Sequence, residues 1–144
     1  MKKIFYLSFI FLLFNVSTCD KDKCHKTIAF VNNSPKEVYI GFTIRTLDTL
    51  SFYRNFSNPH THTHSNNPYR VKSGETNTDA LWNRNCYEYH HVADNNMFVY
   101  VFDAEVLETV SWDTVGKYYM VLKTISPTLE EMQRSNWTIT FTGE

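Results

Sequence analysis

The segment His60-Thr61-His62-Thr63-His64 holds the densest run of side chains able to do chemistry. In an extended backbone alternate residues share one face, so His60, His62 and His64 would point their imidazoles the same way. Neutral imidazole is a common ligand for zinc, copper and nickel, and His90 or His91 would complete the set if the fold brings one of them close. The same run also reads as a polar surface loop. Pro59 and Pro68 bracket it, Ser and Asn fill the rest, and no acidic residue lies within it. On that reading the histidines take up zinc, copper or nickel only adventitiously, and no cofactor is expected.

Cys86 is the other candidate. It precedes His90 and His91, and a thiol beside an imidazole is the arrangement of a cysteine nucleophile. A hydrolase using Cys86 or a carboxylate is therefore one alternative. A buried or disulfide-bonded Cys86 is the simpler one. Glu130 and Glu131 read as carboxylates at a helix start, and Asp103 and Glu105 as the end of a strand. The sequence contains no Gly-rich phosphate loop, no His-Glu-x-x-His pair and no nucleophile elbow. Phe52, Tyr53, Tyr69, Trp82, Tyr87 and Tyr89 would make a ligand-binding aromatic surface if exposed, and core if not. Asp48-Thr49-Leu50 and Asp113-Thr114-Val115 resemble the acceptor pattern for O-glycosylation of exported Bacteroidetes proteins, which marks Thr49 and Thr114. A pattern this short also arises by chance.

The chain starts with Lys2 and Lys3, followed by an apolar run of about eleven residues, Ile4 to Phe14. A helix needs about twenty apolar residues to span a bilayer. The run instead has the length and flanks of a signal-peptide core. Val16-Ser17-Thr18-Cys19 then resembles the bacterial lipobox, with Thr18 departing from the usual Gly, Ala or Ser. That resemblance implies removal of residues 1–18 and acylation of Cys19; two or more acyl chains hold a protein stably on a membrane. Of the three cysteines, assigning Cys19 to lipid leaves Cys24 and Cys86 as a possible disulfide or as two free thiols. An exported protein meets an oxidising compartment, in which such a bond would persist and clamp the tether to the domain.

About 125 residues would remain, enough for one domain with a sizeable core. Loss of Lys2 and Lys3 takes the formal charge from −1 to −3, which offers no basic footprint for nucleic acid. Aromatic residues make up 16% and glycine only four positions, a composition suited to strands. Residues 19–26 read as the lipidated cysteine and a charged tether, whose charges would influence membrane sorting. Residues 27–144 read as one β-rich domain.

Within that domain Thr27–Val31 and Glu37–Thr46 are expected strands, joined as a hairpin through Asn32-Asn33-Ser34-Pro35-Lys36. Val38, Ile40, Phe42 and Ile44 alternate with Tyr39, Gly41, Thr43 and Arg45, the period of a half-buried antiparallel strand. Leu50–Tyr53 and Tyr69–Val71 read as short extended pieces and Asn55–Pro68 as loop. Thr78–Trp82 is ambiguous, and Cys86–Val92 reads as a strand or a helical turn. Met97–Asp103 is apolar on both faces, so it belongs in the middle of a sheet. Ser111 caps a short helix, Tyr119–Ile125 is extended, and Thr128-Leu129-Glu130-Glu131 is a capping box opening a helix that ends near Ser135. Trp137, Ile139 and Phe141 alternate with threonines in a final strand. The expected fold is mainly β: an antiparallel sandwich of immunoglobulin- or transthyretin-like layers with one or two short helices. A two-layer α+β fold is the alternative.

The hairpin TIAFVNNSPKEVYI, the stretch MFVYVFDAEVLETVSWDTV and the ending YYMVLKTISPTLEEMQRSNWTITF, taken with the lipobox-like start, resemble small Bacteroidetes lipoproteins of unassigned function. The likeness spans most of the mature chain. Its most specific parts are Phe102-Asp103-Ala104 and Asn136-Trp137-Thr138-Ile139. It implies attachment to the envelope, in the outer membrane, and a domain type. It transfers no catalytic residues. The expected function is a non-enzymatic, lipid-anchored module that binds or supports an envelope protein or glycan. The histidine metal site and the hydrolase are the alternatives.

Overall fold

The computed structural model describes residues 24–44, 68–82, 86–88 and 97–144. The expected strand at Leu50–Tyr53 and nearly all of the histidine-bearing loop lie outside them. Among the described residues seven strands form two sheets, with three short helices. The strands are β1 (Ile28–Asn32), β2 (Val38–Thr43), β3 (Tyr69–Val71), β4 (Thr76–Trp82), β5 (Phe98–Asp103), β6 (Lys123–Ile125) and β7 (Thr138–Phe141). The helices are α1 (Ala104–Thr109), α2 (Trp112–Lys117) and α3 (Leu129–Arg134). The protein is therefore mainly β, as its alternating apolar patterns predict. One sheet has the order β4-β1-β7 and the other β3-β2-β5-β6.

Two details depart from the expected antiparallel sandwich. β1 runs parallel to β7, with Ala29 opposite Thr138 and Asn32 opposite Phe141. β1 and β2 do not form a hairpin: β1 pairs with β4 and β7, whereas β2 pairs with β3 and β5. The turn residues 33–36 carry the chain from one sheet to the other. Asn32 determines this. Its side chain is fully buried and its amide donates to the carbonyls of Lys36, Val71 and Lys72 at 2.8, 3.2 and 3.2 Å. Its Oδ1 accepts from the Ser34 amide and hydroxyl at 3.1 and 2.7 Å. Its backbone N–H donates to Glu75 and its carbonyl accepts from Gly74. Gly74 has φ +74, which glycine adopts without steric cost. A buried amide this well satisfied favours the crossing over a ladder with β2.

The main core lies between the sheets. Ile28 and Phe30 of β1, Leu81 of β4 and Ile139 and Phe141 of β7 meet Val38, Ile40, Val71, Val99 and Val101 from the second sheet. β5 is central, and its other face is apolar too: Tyr100 and Phe102 pack with Leu107 of α1 and Val115 of α2. Burying such a side chain is worth about 1.5–3 kcal/mol relative to leaving it in water. This second layer explains the continuous apolar run MFVYVF.

The helices are short and rely on caps. Asp103, Ser111 and Thr128 accept from the backbone amides of Glu105, Thr114 and Glu131 respectively, and Thr128 with Glu131 forms the complete capping box. α3 ends with Asn136 N–H donating to Gln133 and Trp137 N–H to Met132, the paired bonds of a Schellman motif. Asn136 at φ 50 suits the left-handed position. Trp137 at φ 59 is unusual for a bulky residue, and its side chain is buried beside Met132 in the main core.

Candidate functional site

α1 was not expected; the residues after β5 read as a strand end. With the neighbouring strand ends it lines an open surface cleft of about 300 Å³. Lys36 and Glu37 enter it ahead of β2, Arg70 comes from β3, Asp103 from the end of β5, and Glu105 and Glu108 from α1. The register sets the neighbours. Tyr39 lies opposite both Arg70 and Phe102, so the outer face of β3-β2-β5 carries Arg70 and Tyr39 towards α1.

Charges in the cleft are ordered. Lys36 Nζ donates to Asp103 Oδ2 at 2.8 Å, while Asp103 Oδ1 accepts the Glu105 amide at 2.9 Å. The Lys36 hydrogen bond, opposed by burial and helped by the Glu105 amide, holds the Asp103 carboxyl below its ordinary value. The same hydrogen bond raises Lys36. Arg70 bonds to Glu37 and reaches Glu108 Oε1 at 3.1 Å. Both contacts hold the guanidinium above its ordinary value, the Glu37 hydrogen bond most. Tyr39 donates its hydroxyl to Glu108 at 3.3 Å, and burial chiefly raises its phenol. At neutral pH Asp103 thus stays ionised and Lys36 protonated. With two cations among four carboxylates, the cleft is suited to recognising charge.

The opposite end of the sandwich holds Cys24 and Cys86. Cys24 and Cys86 are joined by a disulfide with Cα atoms 4.8 Å apart. Cys86 thus has no free thiol to act as a nucleophile. The adjacent His25 ring stacks on Trp137 at 3.8 Å, with Tyr87 edge-on to the same indole at 5.7 Å. His25 Nδ1 lies 2.6 Å from Glu88 Oε1, and the His25 amide donates to both Glu88 oxygens. Burial acts to raise Glu88, but these bonds override it and leave the carboxyl below its ordinary value.

Other sequence-marked residues are scattered or undescribed. Cys19, Thr49, His60, His62, His64, His90 and His91 lie outside the described residues, as do Phe52, Tyr53 and Tyr89. Thr114 is in the first turn of α2, its hydroxyl 2.8 Å from the Ser111 hydroxyl. Tyr87 is buried, while Tyr69 is exposed. Among the described residues no cluster of His, Cys, Asp and Glu is arranged to hold a metal ion.

Sequence reading missed two features. Arg70 sits in a three-residue strand with no motif around it, and only its register with Tyr39 brings it to Glu108. Tyr119, Met120 and Leu122 fall in the stretch read as extended, but together with Tyr118 they are exposed in the connection between α2 and β6.

Fold and sites together define a mainly β, two-sheet domain with a disulfide at one end and a charged cleft at the other. The chain matches no protein-family model, no curated protein and no solved structure.

Proposed function

We propose that the chain is an exported module of the bacterial cell envelope, anchored in the outer membrane by lipid on Cys19. It binds or supports another envelope component, a protein or a glycan, and catalyses no reaction. The observation that carries this reading is the Cys24–Cys86 bond. Disulfides persist outside the reducing cytosol, and this one ties the residues just after Cys19 to the folded domain. The charged cleft supplies a surface for the partner.

Mass spectrometry of the mature N-terminus, with peptide mapping and membrane fractionation, tests the reading. The expected result is an N-terminal, acylated Cys19, a membrane-bound chain, and joined Cys24 and Cys86 peptides. An unacylated chain in the soluble fraction sinks it. Affinity capture from native membranes then tests the binding role: a retained partner should be lost from the Arg70→Glu variant, which reverses the cleft's one guanidinium.

A further inference from the structure

Among the described residues the two sheets have four edges, and they are not alike. β3 and β6 are three residues long and carry a cation each, Arg70 and Lys123. β4 holds Asp79, its register with β1 shifts between Ile28 and Phe30, and Asn77 Oδ1 accepts the Asp79 and Ala80 amides. Short length, charge and bulges are how proteins keep an edge from pairing further. β7 lacks charge and bulge alike. Its register with β1 is unbroken from Thr138 to Phe141. Every residue from Trp137 to Thr142 is uncharged and either aromatic or β-branched, the composition that pairs best as a strand. The carbonyls of Trp137 and Phe141 accept from Ala29 and Asn33, so the backbone groups of the residues between alternate to the other side. The N–H and C=O of Thr138 and Thr140 therefore line the margin of the sheet, where β7 has β1 as its one strand neighbour among the described residues.

We infer that the β7 edge takes up a strand from a partner protein: an extended, uncharged segment whose alternate residues are apolar. Main-chain bonds to Thr138 and Thr140 hold it, and the side chains it lays beside β7 select it. Its apolar residues continue the face of Ile139 and Phe141 towards Ile125 and Leu129, which pack on the core but are only partly buried. β7 and β6 share that side of the sandwich: Lys123 of β6 donates to the Glu144 carbonyl just after β7, while β4, at the other margin, lies against β2 and β3. A charged segment would lose hydration against Trp137–Thr142 with nothing there to pair it. A second copy of the chain does not fit the anchored reading above, on which this inference rests. β7 starts at Trp137, beside His25 at the disulfide end, and ends at Phe141, opposite Asn32. Two copies joined through β7 would meet antiparallel about a two-fold axis, with their tethers at opposite ends of the pair. Cys19 lies five positions before Cys24, an extended reach of about 17 Å. A domain of this size is roughly 35 Å across, so both tethers could not reach one bilayer.

The test is photo-crosslinking of the full chain in native membranes. Benzoylphenylalanine replaces Thr138 or Thr142, on either side of Thr140, and Asp79, exposed on β4, in the control. The expected result is several-fold more protein adduct from 138 and 142 than from 79, with the two crosslinked sites about four positions apart in one partner segment, as paired strands require. Thr140→Pro removes the outward N–H while sparing the bonds to β1, and should bring the adduct from 142 down to the control level. Thr140→Val keeps that N–H and should leave the adduct unchanged. Adduct no stronger than the control, sites scattered over the partner, adduct to a second copy of this chain, or adduct that survives in folded Thr140→Pro overturns the inference. If circular dichroism shows that Thr140→Pro does not fold, the spacing of the crosslinked sites decides alone. Fractionation of the same sample reports separately on the anchor: a soluble, unacylated chain that still gives the spaced adducts ends the anchored reading and leaves the strand addition standing.

Discussion

The two ends of the sandwich are closed by different physics. At one end Cys24 and Cys86 are covalently joined and the His25 ring lies on Trp137. At the other, Asn32 gathers buried hydrogen bonds, and Lys36 and Asp103 pair at the cleft. The covalent end acts largely by restricting the unfolded chain, so its contribution grows with loop length. The polar end acts in the folded state, where every buried donor must keep its partner. The first is suited to bearing the strain of a tether. The second leaves charged groups at the surface and is where recognition is possible.

The largest effect should come from the covalent end. Changing both Cys24 and Cys86 to alanine opens a loop spanning 62 positions and should cost about 3–4 kcal/mol, read from the midpoint of chemical denaturation. A loss below about 1 kcal/mol would mean that the His25–Trp137–Glu88 contacts suffice to hold that end.

Asn32→Ala breaks the polar end. It removes the side-chain bonds to the carbonyls of Lys36, Val71 and Lys72 and the acceptor of the Ser34 amide, and should cost about 2–3 kcal/mol. Asn32→Asp is expected to be no better, because its carboxylate cannot donate to those carbonyls. If either variant is as stable as the parent, the crossing between sheets is held by packing alone.

Asp103→Ala removes the α1 cap and the partner of Lys36, with an expected loss of about 1 kcal/mol. pH sharpens this. The Asp103 carboxyl is lowered in the folded protein from an ordinary 3.8. Its stabilisation is therefore fully present above the ordinary value and is lost as pH falls through the lowered one. Glu88 is lowered at the other end and carries the same sign. Acid titration followed by circular dichroism should show a loss of stability beginning near pH 4, shallower in Asp103→Asn and in Glu88→Gln. Equal slopes in all three proteins would show that neither carboxylate drives the acid transition.

Arg70→Met should have the smallest effect on stability, under about 1 kcal/mol, because its ion pairs are exposed. Its effect should fall on partner capture, and the separation of the two readouts distinguishes a recognition surface from a structural one.

Local signals were legible where few residues decide the outcome. Ser111 and Thr128 each accept the amide of the residue three positions on, so their caps follow from spacing alone. The alternation of Trp137, Ile139 and Phe141 is buried as its period requires. α1 was hidden because six residues, Ala104–Thr109, are too few to show a helical period, and Asp103 reads equally well as the end of a strand. The misread hairpin has a different cause. Asn32-Asn33-Ser34-Pro35 has turn chemistry, but a turn between strands of one sheet and a crossing between two sheets use the same residue types. The difference lies in Val71, Lys72 and Glu75, which are distant in sequence and supply the partners of Asn32.

The sequence by itself determined that this protein is mainly β, where two of its helices begin, and that β5 is apolar on both faces. Those properties depend on side-chain period and on contacts within three or four residues. Tertiary structure alone decided which strands pair, that Cys24 meets Cys86, that Arg70 reaches Glu108 beside the Lys36–Asp103 pair, and that Tyr118, Tyr119, Met120 and Leu122 are exposed while Val121 packs inward. Each of these joins elements far apart in the chain or depends on what neighbouring elements leave uncovered. Packing two sheets around one core chooses among arrangements that local preference leaves nearly equal.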